Sequence, residues 1–155
     1  MSTQPTVTGD LTPAEVRTYL DEATIPVRIA CRTPDGGLWM VSLWFSYADG
    51  ILSCATSADA LLVRYLREDP HVALEVSTND PPYRGVRGAG TATLAADEDK
   101  ALLRSLLERY LGGTESDLAK TLLAPAREEV RIDVDIERLY GWDFSERMPG
   151  SPTEG

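Results

Sequence analysis

The chain reads as a mainly β domain with flanking helices, whose six antiparallel strands close or nearly close into a barrel. Three observations predict this. Short segments of high β propensity are separated by tight turns of Pro, Asp and Gly. Helical periodicity interrupts them irregularly, which disfavours the regular strand–helix alternation of a parallel sheet. Six antiparallel strands in one 155-residue chain also escape exposed edges by closing.

Leu11 to Glu22 opens as a helix, with Thr12 and Glu15 spaced as a capping box and Pro13 suited to the first turn. Ile25 to Arg32 is the first strand, followed by the turn Pro34-Asp35-Gly36-Gly37. Leu38 to Tyr47 is the second strand, Ala48-Asp49-Gly50 a turn, and Ile51 to Thr56 the third, so an antiparallel meander is expected. The period then changes: Ala58, Leu61, Leu62, Tyr65 and Leu66 share a helical face that ends at Asp69-Pro70. Val72 to Thr78 and the glycine-broken Val86 to Ala95 are strands four and five. Asp97 caps a helix to about Leu111, stopped by Gly112-Gly113, and Ser116 to Leu123 forms a shorter one. Val130, Ile132, Val134 and Ile136 alternate with charged neighbours as the last strand. Residues 11–146 form one domain on this reading, with flexible tails at 1–10 and 147–155 rich in Ser, Thr, Pro and Gly.

Charge narrows the partners. The net charge of −10 repels phosphate backbones and anionic lipid, so neither nucleic acid nor a membrane surface is an expected partner. Apolar residues are 43% of the chain, too many for disorder. No basic patch followed by an apolar run opens the chain, and no run reaches the ~18 apolar residues of a span, so a soluble cytoplasmic protein is expected. Cys31 and Cys54 lie in apolar runs and read as two reduced, buried thiols.

Several familiar constellations fail. One His and two separated Cys cannot make a zinc site, so no metal is expected. His71 follows the Asp69-Pro70 stop and reads as structural. Gly85, Gly88 and Gly90 lead into a strand, where glycine bends a barrel or admits close backbone approach, rather than into a helix that would present its N-terminus to a phosphate.

One stretch is more specific. It runs Ile25-Pro26-Val27, Leu38 to Tyr47, Asp49-Gly50-Ile51-Leu52, Thr56-Ser57, Val63 to Pro70 and His71-Val72-Ala73-Leu74. With Arg84 to Ala92 and Tyr140-Gly141-Trp142-Asp143, this order and spacing resembles the pyridoxamine 5'-phosphate oxidase-like superfamily, and within it the flavin- and deazaflavin-dependent oxidoreductases. The resemblance covers about Leu11 to Phe144. It implies a split barrel of Greek-key type and a homodimer with two cofactor sites at the interface. It also implies FMN (sometimes FAD) or F420 as cofactor, its ring on a strand and its phosphate by the Thr-Ser and the helix that follows. Those positions are Trp44, Thr56 and Ser57 here; a helix cap for Ser57 and a core aromatic for Trp44 are the alternative roles.

Family members usually carry a basic residue just inside that helix. Leu61 and Leu62 stand there in this chain, with Asp59 adding negative charge. Arg64, or Arg84 and Arg87 beside the glycines, are the substitutes, and Trp142 is expected to reach in from the partner chain. Arginine supplies 13 of the 15 basic residues, so a phosphate anchor is expected to be Arg. The expected function is hydride transfer between bound FMN or F420 and a small-molecule substrate. The cofactor carries the chemistry and no catalytic side chain is assigned. The alternative is a non-catalytic ligand-binding protein on the same fold that has lost its phosphate anchor. A haem-binding relative is a third reading and depends on His71.

Overall fold

A computed structural model describes residues 4–148. Its strands are β1 (Thr6–Gly9), β2 (Val27–Arg32), β3 (Leu38–Leu43), β4 (Ser46–Ala48), β5 (Ile51–Ser57), β6 (His71–Ser77), β7 (Arg84–Ala96) and β8 (Glu129–Asp143). Its helices are α1 (Pro13–Glu22), α2 (Leu61–Glu68), α3 (Ala101–Leu111), introduced by a single 3-10 turn, and α4 (Asp117–Leu122). The sheet runs β3-β2-β6-β7-β8-β5-β4, with β1 added on β8. All pairs along that path are antiparallel; only β1–β8 is parallel. The mainly antiparallel sheet with flanking helices is the predicted class, a split barrel. It has eight strands rather than six and does not close.

Two local events account for the difference. The segment read as one strand from Leu38 to Tyr47 breaks at Trp44-Phe45, which lie between β3 and β4. Phe45 is fully buried, and its N–H donates to Tyr110 Oη (3.2 Å) instead of to a ladder. The chain thereby crosses from one end of the sheet to the other, and the expected meander becomes two hairpins, β2–β3 and β4–β5, at opposite ends. Secondly, Thr6–Gly9, within the segment read as a flexible tail, pairs in parallel with Arg138–Gly141. The β5–β8 pairing ends at Ile51↔Asp135, so the far half of β8 has an edge free, and β1 covers it. The remainder of both expected tails, 1–3 and 149–155, lies outside the described residues.

Alternation builds the core. Val27, Ile29 and Cys31 of β2 and Val130, Ile132, Val134 and Ile136 of β8 point inward, joined by Leu52, Cys54 and Val76. Val16 and Leu20 of α1 and Leu62, Val63 and Leu66 of α2 close over it. Each such side chain contributes about 1.5–3 kcal/mol by leaving water. Gly88 and Gly90 serve close approach as expected: a Cβ there would sit 2.2 Å from the Arg138 carbonyl oxygen and 2.4 Å from that of Asp135.

The caps follow the sequence reading. Thr12 and Glu15 make a reciprocal capping box on α1. The Asp97 carboxylate accepts the N–H groups of Leu102 and Leu103, both at 3.0 Å. Arg109 of α3 donates to the carbonyls of Leu20, Asp21 and Ala23, tying α3 to the end of α1. No helix among the described residues is long and apolar enough to cross a membrane.

Candidate functional site

A second, smaller cluster forms where Leu103 and Leu107 of α3 and Ala119 of α4 pack over Trp44 and Ala55. A cleft of about 280 Å³ remains beside it, just below the ~300–1,000 Å³ typical of ligand pockets. Pro26, Trp44, Thr56, Leu122, Arg127 and Glu129 are among the residues that line it. A neighbouring cleft of about 640 Å³ shares Arg127 and Glu129, and adds Arg67 and Lys100.

Trp44 is held rather than loose. Its ring stacks on Tyr110 with centroids 5.2 Å apart and planes 13° from parallel. The Tyr110 hydroxyl donates to the Ile25 carbonyl (2.9 Å) while accepting from the Phe45 N–H. The crossing between the two hairpins therefore also orients the platform beside the cleft. Burial raises the Tyr110 pKa, keeping the hydroxyl protonated and able to donate.

Thr56 sits in the cleft and pairs with Val130. Ser57 pairs with Glu129, and its Oγ accepts the Asp59 N–H (3.3 Å). It is not the cap of α2: that position is Ala60, which gives no side-chain hydrogen bond. Of the two leucines at the expected phosphate end, Leu62 is core and Leu61 is exposed.

The other three expected contacts lie elsewhere. The Arg87 guanidinium contacts two rings of β8, 5.0 Å from the Tyr140 ring and 4.9 Å from that of Trp142. It lines a cleft of about 650 Å³ on the outer sheet face with Arg28, Met40, Arg138 and Tyr140. Arg84 lies over Tyr19 (5.5 Å) in a fourth cleft, of about 780 Å³, between α1 and the 78–80 loop. Thr56 pairs with Val130 and Arg87 with Tyr140, ten residues along β8. At ~3.3 Å per residue that is up to roughly 33 Å of strand. Trp44 and Thr56 thus share one cleft, Arg87 lines another and contacts Trp142, and a single chain does not unite the two groups.

Within the protomer the arginine that shares a cleft with Thr56 is Arg127. Its Nε donates to Glu129 Oε1. The Glu129 side chain is almost wholly buried, and its Oε2 has no hydrogen-bond partner. A buried acceptor left unmet costs about 1–3 kcal/mol, more when charged. Neither residue stands out in the sequence. Glu129 falls on the charged phase of the last strand's alternation, which reads as solvated until α3 and α4 are known to cover that end.

These residues fit a flat-ring cofactor in part. Trp44, Pro26 and Thr56 give a ring a rigid wall and a hydroxyl, but the adjoining cleft sets Arg67, Lys100 and Arg127 against Asp97, Asp99, Glu128 and Glu129, so it offers a phosphate no net positive charge. At the start of α2, where the resemblance implies a basic residue, stand the buried Leu62 and the exposed Leu61. His71 takes no part: it is exposed, and its Nδ1 pairs with Asp69 (2.8 Å) at the end of α2. Both cysteines are free and buried, and burial raises both thiol pKa values, so neither is a ready nucleophile.

The fold is a split-barrel domain with a small recess walled in part by Trp44. Comparison with known proteins gives that class its place. No family model matches the sequence, and no curated protein does. Among solved structures, the conserved hypothetical protein Rv2991 from Mycobacterium tuberculosis is similar over 99% of this chain and 98% of its own, at 23% identity and a TM-score of 0.74. An F420 reductase is similar over 77% of this chain and 92% of its own, at 24% identity and a TM-score of 0.66. A FAD-binding protein from Mesorhizobium loti is similar over 84% and 94%, at 24% identity and a TM-score of 0.61. Pyridoxamine 5'-phosphate oxidase-like proteins share the fold at lower identity. The chain shares its fold with these solved structures.

Proposed function

We propose that this chain is an oxidoreductase that holds FMN or F420 in the Trp44–Thr56 cleft and passes hydride to or from a small molecule. The observation that carries the reading is the Trp44 ring, fixed on Tyr110 beside Thr56 and Pro26. The fold is also one whose solved examples include a protein named F420 reductase and one named FAD-binding protein. When bound, the cofactor supplies the two-electron chemistry. The chain's own part is orientation. Trp44 offers a flat apolar face and the Thr56 hydroxyl a hydrogen bond, while Arg127 and Arg67 stand in the adjoining cleft among the carboxylates of Asp97, Asp99, Glu128 and Glu129. No side chain is assigned as acid or base.

The same reading takes the protein as a cytoplasmic homodimer. The outer sheet face exposes Leu38, Met40 and Tyr140 around the Arg87 cleft, which suits a second copy of the chain. A second copy is also the means by which Arg87 and Trp142 would approach a neighbouring cofactor. Sedimentation at micromolar concentration should give twice 16.9 kDa; a monomer mass refutes the dimer.

Titration with FMN and with F420, followed by absorbance and fluorescence, tests the cofactor. Micromolar binding of one, weakened about tenfold by Trp44→Ala, is expected. Binding of neither refutes it. The placement of Leu62 in the core favours one rival, a non-catalytic binding protein on this fold. Isolation with a non-redox ligand and silence in hydride-transfer assays would select it.

A further inference from the structure

We infer that Glu129 orients the cofactor ring by accepting a hydrogen bond from a ring N–H, and so fixes which edge of the ring faces β8. The inference rests on the Trp44–Thr56 cleft being the cofactor site. Two described side chains hold a buried polar atom with no partner: Arg109, at Nε, and Glu129, at Oε2. They differ in kind. The other nitrogens of Arg109 make three hydrogen bonds to carbonyls, so its guanidinium is well served and its role is to tie α1 to α3. Glu129 has a single side-chain partner, Arg127, on Oε1 only. An ionised carboxylate offers about four lone-pair sites and no donor. Glu129 is among the residues that line both clefts, with Oε2 buried behind the surface.

A buried acceptor in a ligand cleft calls for a donor on the ligand. A phosphate has none to give at neutral pH and carries the wrong charge. The oxidised ring of both flavin and deazaflavin cofactors carries one N–H, on the pyrimidine edge between two carbonyls. That N–H is the group suited to Oε2, which turns the ring's pyrimidine edge toward β8.

Removing the donor and removing the acceptor should each weaken binding, and together no more than either alone. Wild type, Glu129→Gln and Glu129→Met are titrated with FMN, F420 and the N3-methyl derivative of FMN. Melting temperatures are recorded without ligand. In Glu129→Gln, Arg127 holds the amide oxygen and leaves NH₂ facing the cleft, donor against donor. We expect the parent cofactors to bind this variant about ten- to a hundredfold more weakly than wild type. N3-methylation should cost wild type a similar factor and Glu129→Met nothing. Glu129→Met, relieved of an unmet acceptor, should melt no lower than wild type in the absence of ligand. Equal affinity of wild type for FMN and its N3-methyl derivative overturns the assignment without any variant. So does an N3-methyl penalty that persists in Glu129→Met. Wild type binding neither FMN nor F420 overturns the cofactor reading itself, and this assignment with it.

Discussion

The two ends of β8 hold positive charge in opposite ways. At its start, Arg127 is fastened to the buried Glu129 beside a small cleft roofed by α3 and α4. At its far end, Arg87 contacts two aromatic rings on an open sheet face. The first end is short of hydrogen-bond partners and enclosed; the second is satisfied by ring faces and exposed. An enclosed deficit calls for a small molecule to complete it. An exposed apolar face ringed by arginine calls for a surface to cover it. On the proposed reading, one strand carries two different kinds of recognition.

Breaking the enclosed end should cost most. Phe45→Ala empties a fully buried site at the crossing between hairpins and should destabilise the fold by about 3–5 kcal/mol, read as a lower urea midpoint at constant slope. Tyr110→Phe keeps the ring under Trp44 but strands the Phe45 N–H and the Ile25 carbonyl. A loss of about 1–3 kcal/mol is expected, together with weaker cofactor binding. Asp97→Ala removes the acceptor for two N–H groups at the start of α3 and should cost about 1–2 kcal/mol.

The open end should respond weakly in stability and strongly in assembly. Arg87→Ala loses two cation–π contacts, about 0.5–1 kcal/mol each at an exposed site, and should shift the sedimentation mass toward monomer. Smallest is a pH effect at the same end. The side chain and N–H of Ser145, then Arg84, hold the Asp143 carboxyl below its usual range. A depressed carboxyl stabilises the fold at neutral pH, and that share is lost as pH falls through its folded pKa. Ser145→Ala should therefore flatten the acid limb of the melting curve slightly; an unchanged limb would remove Asp143 from the account.

The same contrast explains what could be read in the sequence. The strands and helices of the barrel were legible because alternation and caps are local: Val130 to Ile136, the Thr12–Glu15 box and Asp97 all behave as their spacing says. Trp44 and Thr56 were legible through a resemblance in order and spacing, and they do share a cleft. The break at Trp44-Phe45 was not, because the hydroxyl that stabilises it comes from Tyr110, 65 residues away. Strand β1 was hidden in a segment whose composition reads as tail, since its partner is the far half of β8. Glu129 was hidden by its own phase: a charged residue in an alternating strand looks solvated until distant helices cover it.

The central claim is the place of the ring, and a crystal structure of the protein grown with FMN or F420 tests it most directly. Ring density against Trp44 and Thr56, with its pyrimidine edge toward Glu129, is the predicted result. Density on the outer sheet face of the same protomer, against Arg87 and Tyr140, with the Trp44 cleft unaltered, would contradict it.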